Sequence, residues 1–188
     1  MVGFAVIETQ WGPFGFVARD SPEPGLLATY SPSTESKIRE RIAEDWPDAQ
    51  EQAALLPRFS KAVAAFYSGT PVEFNVDIDL DRFSEFQQAV LGACRRIPYG
   101  KTASYADLAR AAGRAGAARA AGSTMARNPM PIVIPCHRVV RADGGLGGFS
   151  SARGVSEKQQ LLDMERGAMD DPQRKRARQR ILAGQELA

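Results

Sequence analysis

Ile134-Pro135-Cys136-His137-Arg138-Val139-Val140 places one of only two cysteines directly beside the only histidine of a 188-residue chain. Pro135 lacks a backbone donor and pushes Ile134 toward extended geometry, so it ends the apolar run Ile132-Val133-Ile134 and starts a turn. A thiol on a turn can face a substrate. The thiolate is the nucleophile, and a free cysteine with a pKa of ~8.5 is only slightly ionised at neutral pH, so a base or the positive end of a dipole is needed nearby. His137 can serve. Adjacent residues of a strand point to opposite faces, so contact between the two side chains requires a turn or a bridging water. The same residues are also compatible with a buried apolar cysteine beside a hydrogen-bonded histidine.

Working outward, Phe4-Ala5-Val6-Ile7 and Gly12-Pro13-Phe14-Gly15-Phe16-Val17-Ala18 read as two strands joined by a turn. Between Thr34 and Tyr67 the pattern is helical, with Ile38, Ile42, Leu55, Leu56, Val63 and Phe66 amid charge and with Pro47 and Pro57 as breaks. Residues Val72 to Leu80 alternate strictly, which predicts a half-buried strand, and a linker follows near Asp79 to Arg82. Ser84 and Gln87 have capping-box spacing ahead of a helix that buries Phe83, Phe86, Val90, Leu91 and Cys94 and stops at Pro98. Cys94 is therefore a core residue.

Ser104 and Asp107 cap a short helix through Ala112 that Gly113 ends, and a second helix from Ala117 to Arg127 turns Ala118, Ala121, Gly122 and Met125 inward. Two short helices joined by a glycine-bearing turn read as a helix-turn-helix or as a plain helical hairpin. Small residues on the second helix permit close approach either to the first helix or to DNA. After Asp143-Gly144, a turn signal, Gly144, Gly145, Gly147 and Gly148 make a flexible loop. A last helix from Ser156 to Arg166 places Lys158, Leu162 and Glu165 on one face. A buried carboxylate needs a partner, and His137 is the only histidine available to Glu165.

Composition narrows the class. The hydrophobic content of 44% suits a globular chain with a sizeable core. No segment approaches the ~20 apolar residues of a membrane span, and Met1-Val2-Gly3-Phe4 carries no basic region before an apolar stretch, so a cytoplasmic protein without a membrane partner is expected. Two cysteines and one histidine make neither a disulfide scaffold nor a zinc cluster, so no metal is expected. The net charge of +2 conceals a division: residues 1–78 carry six Lys or Arg against eleven Asp or Glu, whereas residues 79–170 carry thirteen against nine. The tail 171–188, with Arg174, Lys175, Arg176, Arg178 and Arg180, adds a further +3. The second half suits a phosphate backbone, or is a solvated basic surface.

From Phe86 to Gly167 the chain resembles the catalytic domain of the O6-alkylguanine-DNA alkyltransferases, proteins of direct-reversal DNA repair. Ile97-Pro98-Tyr99-Gly100-Lys101, Ser104-Tyr105, Ala118-Arg119-Ala120, Asn128-Pro129, the Pro135 to Val140 run and Glu165 carry the resemblance. Trp11-Gly12-Pro13 is similar to the family's early strand signature, and nothing matches after Gly167. The resemblance implies an α+β chain in three parts. A small N-terminal β-sheet and helix domain of ribonuclease H-like form spans 1–80, a mostly helical catalytic domain with a helix-turn-helix spans 81–170, and a basic tail spans 171–188.

It also implies roles. Cys136 accepts the alkyl group from O6 of guanine once and irreversibly, without a cofactor, and the partner is double-stranded DNA containing O6-alkylguanine, met by a monomer. His137 draws off the thiol proton through water, Glu165 orients and charges that histidine, Tyr105 donates to the guanine ring, and Asn128 braces the turn before the cysteine loop. Pro131 lies over the alkyl group, Val139 offers a backbone acceptor to the exocyclic amine, Ser150 is the donor to O6, Phe149 replaces a stacking tyrosine, and Lys158 lines the same pocket. Arg119 fills the gap left by the flipped base, with Ala118, Ser123 and Arg127 also facing DNA. The segment Ser151 to Val155 is about two residues longer than the human-type pattern, and Arg127 stands one place later than the family's arginine.

Three rival readings have less support. The alkyltransferase-like proteins bind alkylated bases and recruit other factors, but lack the cysteine that is present here as Cys136. A cysteine hydrolase leaves Arg119 and the helix pair without a role. A stand-alone transcription regulator would need a second DNA-binding motif or a dimerising heptad, and neither is found.

Overall fold

The computed structural model describes residues 1–19, 25–151 and 153–170, apart from the side chains of 168–170. The basic tail lies outside the described residues. The chain divides into two compact units, with the boundary between Asp79 and Leu80.

In the first unit, β1 (Val2–Ile7) pairs antiparallel with β2 (Phe14–Arg19), which pairs antiparallel with β3 (Gly25–Tyr30). After α1 (Glu35–Asp45), the two-residue β4 (Gln50–Glu51) joins β1 in parallel, giving the order β3-β2-β1-β4. The helix α2 (Pro57–Tyr67) starts with Pro57 at its N-terminal position, where a missing amide costs nothing. The central strand β2 is buried on both faces. Gly15 and Val17 lie toward Ile38 and Ile42 of α1, whereas Phe14 meets Tyr67 at a tilt and Phe16 meets Phe59 edge-on, both partners on α2. Two covered faces also explain why β3, Gly-Leu-Leu-Ala-Thr-Tyr, shows no alternation to read: all six residues are buried.

The strand expected over Val72 to Leu80 is not formed. The alternation is real, since Val72, Phe74, Val76 and Ile78 are half-buried and Glu73, Asn75 and Asp77 exposed, but no ladder accompanies it. Among the described residues a single parallel bridge joins Ile78 to Leu26, while Phe74 packs on Phe59 and Phe66. Side-chain burial alone generates the period of two.

The second unit begins with α3 (Glu85–Arg95), capped by Ser84 and Gln87 in a reciprocal capping box, with Val90, Leu91, Ala93 and Cys94 buried. Phe83 and Phe86 are half-buried rather than core, because they precede and open the first turn. Ser104 and Asp107 make a second capping box for α4 (Tyr105–Ala111), which packs against α5 (Ala118–Met125). Ala121 and Met125 are buried, while Ala118 and Gly122 are half-buried. Two-residue strands β5 (Ala103–Ser104) and β6 (Val139–Val140) pair in parallel, and α6 (Gly154–Asp170) closes the unit with Leu161 and Leu162 in the core. Among the described residues no helix is long and apolar enough to cross a membrane.

Gly15 tests the close approach of α1 to the sheet. A Cβ there would run into the Cγ2 methyl of Ile38 and stand 3.2 Å from Cδ1 of Ile42. Gly15→Ala is expected to destabilise the protein by about 1–3 kcal/mol in urea unfolding, and Ile38→Ala in the same chain should recover part of the loss.

Candidate active site

The reactive turn is built from its flanks. Asn128, just beyond α5, donates from Nδ2 to the carbonyl of Ile134 at 2.7 Å and accepts at Oδ1 from the Met130 amide at 3.0 Å. The Ile134 amide in turn reaches the Met130 carbonyl at 2.9 Å. This closed loop holds Ile132 at φ 68°, a left-handed conformation that is rare for a β-branched residue. Pro135 then leads into one turn of 3₁₀-helix, Cys136–Arg138, in which the Arg138 amide donates to the Pro135 carbonyl at 2.8 Å.

Cys136 remains partly open to solvent while His137 and Arg138 are buried. Burial pushes the Cys136 thiol up, opposed by the Asn128 side chain, by Lys158, and by the amides of the turn itself. The buried His137 ring places Nε2 2.8 Å from Oε1 of Glu165. Burial holds His137 below the usual imidazole range, and the charges of Arg138 and Lys158 add to this against the pull of Glu165. Burial acts to raise Glu165, yet the hydrogen bonds and charges of His137 and Arg138 bring it down to about 2.

Glu165 gathers more than His137. Arg138 Nε lies 3.1 Å from each carboxylate oxygen and Nη2 2.8 Å from Oε1, and the Gly100 amide donates to Oε2 at 2.9 Å. The remaining Arg138 donor, Nη1, reaches the Ile97 carbonyl at 2.7 Å, and the guanidinium lies 5.5 Å from the Tyr99 ring centroid. On the same face of α6, buried Lys158 donates to the carbonyls of Val139 at 2.6 Å and Leu146 at 2.5 Å, and burial lowers its pKa.

Cys136, His137, Asn128, Val139, Lys158 and Glu165 therefore share one buried centre. Tyr105, the first residue of α4, belongs to it: its hydroxyl is pushed up by burial and then by the Cys136 and Cys94 thiols. Its ring lies close to Gly122 and Gly147, and a Cβ at Gly147 would stand 3.1 Å from its oxygen. Pro131 and Phe149 are half-buried, and Ser150 is exposed with its hydroxyl donating to the Ala126 carbonyl at 3.1 Å. The other four sequence candidates lie on or after α5. Arg119 and Ser123 are exposed, Ala118 is half-buried, and Arg127 folds its Nε back to the Ser123 carbonyl at 3.3 Å. Among the described residues no group of three or more His, Cys, Asp or Glu is placed to hold a metal ion.

Sequence reasoning missed Arg138 and the Gly100 amide. An arginine inside the otherwise apolar run before Val139-Val140 was the available signal, since a cation there must find a buried partner.

The family model described as 6-O-methylguanine DNA methyltransferase, DNA binding domain, matches residues 85–167. A methylated-DNA–protein-cysteine methyltransferase of Mycolicibacterium paratuberculosis is 46% identical over 104 residues, which are 55% of this chain and 61% of that relative's length. The namesake protein of Methanosarcina acetivorans is 33% identical over 162 residues, covering 86% of this chain and 97% of that one. Among solved structures, Mycobacterium tuberculosis OGT in complex with DNA superposes with a TM-score of 0.72 at 31% identity, covering 88% of this chain and 93% of that chain. On the breadth of these matches, the chain belongs to the methylated-DNA–protein-cysteine methyltransferase family.

Proposed function

We propose that the protein repairs DNA by direct reversal, taking the alkyl group of an O6-alkylguanine onto Cys136 in a single irreversible turnover. The observation that carries this reading is the half-buried Cys136 on a 3₁₀ turn whose next residue, His137, is locked 2.8 Å from a buried carboxylate. With Nε2–H directed to Glu165, Nδ1 is the ring nitrogen that takes the thiol proton, through a bridging water. The sulfur then forms a bond to the alkyl carbon as the carbon–O6 bond breaks, and its electron pair leaves with the guanine. Tyr105 donates toward the ring as that charge develops, which suits a phenol kept protonated by burial. A thioether is a poor leaving group, so the sulfur is not regenerated and no cofactor is called for.

The target carbon lies on a base edge inside the duplex, so the nucleotide must rotate out at a cost of a few kcal/mol. We read α4 and α5 as a helix-turn-helix, with Arg119 entering the vacated stack and Ala118, Ser123 and Arg127 toward DNA. The exposed Arg110, Arg114, Arg119 and Arg127 supply the positive charge for phosphates. Pro131, Val139, Phe149, Ser150 and Lys158 form the base pocket in this reading, and the first unit is ribonuclease H-like. Its domains follow the bounds 1–80, 81–170 and 171–188, and the protein meets its substrate, duplex DNA carrying O6-alkylguanine, as a monomer.

Intact mass after incubation with an O6-methylguanine duplex tests the assignment: one added methyl on the Cys136 peptide is expected, and an unchanged mass removes it. Cys136→Ser should abolish transfer yet leave affinity for the duplex nearly unchanged, because a hydroxyl is similar in size and far less acidic. Methyl transfer retained by the serine variant would contradict the role of Cys136.

Arg119→Ala should slow repair of the duplex far more than reaction with free O6-benzylguanine, which needs no extrusion. Comparing the two rates is the measurement. Equal losses would make Arg119 a general pocket or folding residue.

A further inference from the structure

Arg138 has no part in the steps above, although each nitrogen of its buried guanidinium is committed. Nε and Nη2 fork onto Glu165 and Nη1 holds the Ile97 carbonyl. The consequence lies in the charge balance around His137. An imidazole facing a buried carboxylate that has no other cation is readily protonated, because the imidazolium is then the only neutralising charge. Here the carboxylate is already neutralised. A proton on His137 would place a third positive charge in a buried site that holds Arg138 on the same turn and Lys158 on α6.

We propose that Arg138 is a positioning residue of the transfer reaction, taking up the charge of Glu165 so that the carboxylate orients the His137 ring without fixing a proton on it. The proposal rests on the alkyl-transfer reading and sharpens it: Glu165 aims the histidine, and Arg138 keeps it from being charged before it takes the Cys136 proton. The groups facing His137 are Glu165 and Lys158 from α6, and Cys136 and Arg138 from its own turn. The nearby Cys94 on α3 and Tyr105 on α4 are kept neutral by burial. The direction agrees, since His137 is held below the ordinary histidine range first by burial and further by Arg138.

Because the chain has one histidine, its imidazole resonances report His137 alone. NMR titration of the full chain is expected to give a midpoint below 6.5, the value of an open histidine. In Arg138→Gln, which keeps a donor but loses the charge, the midpoint should rise by about one unit or more, whereas Arg138→Lys, which keeps the charge, should stay within about half a unit of the native value. An unmoved midpoint in a cooperatively folded Arg138→Gln protein overturns the proposal. If that variant does not fold, Arg138→Met, which keeps the stem of the side chain without the charge, is read in the same way: a rise of about one unit or more supports the role, and an unmoved midpoint refutes it. The titration uses no DNA, so failure of methyl transfer in the native protein would be read separately.

Discussion

One buried carboxylate organises the second unit. Glu165 accepts from the Gly100 amide ahead of α4, from His137 and from the Arg138 fork, and so ties α6 to the reactive turn. Through Arg138 the tie extends to the Ile97 carbonyl at the end of α3. Hydrogen bonds to a charged group are the stronger kind, and breaking a buried charged network by removing one member leaves the others unpaired. The arrangement is therefore all-or-none: the histidine, the arginine and the glycine turn keep their places together.

The remaining side chains of the centre solve a different problem, which is to hold an extended loop close to a reactive sulfur without a regular ladder. Asn128 acts as a surrogate backbone, giving Ile134 a donor and Met130 an acceptor. Lys158 does the same for the carbonyls of Val139 and Leu146, pinning the glycine loop to β6. Both use polar side chains in place of secondary structure, which leaves the cysteine face of the loop open.

Much of this was legible in the residues because it rests on local chemistry. Two capping boxes follow from side-chain-to-backbone bonding within three residues, and the stop before Pro98 and the turn at Pro135 from the amide that proline lacks. The pairing of His137 with Glu165 could be reached because a helical period put Glu165 on the buried face and the chain offers a single histidine. What escaped was nonlocal. β3 is covered on both sides and so carries no alternation, while residues 72–80 alternate without pairing. Arg138 found its place from contacts 41 residues back and 27 residues ahead in the chain, which no short-range pattern encodes.

The left-handed backbone at Ile132 bears on what the reactive turn needs from the rest of the chain. A β-branched residue does not adopt that conformation unaided, at a cost on the order of 1–3 kcal/mol, so the turn before Cys136 has no reason to form in an isolated segment. Its bonds to Asn128 span six residues at most, whereas the tie from His137 to Glu165 closes 28, so the neighbouring helix end holds the turn and the distant helix aims the imidazole. A peptide cut from the reactive turn would therefore keep the Cys136 sulfur but lose the aimed histidine beside it.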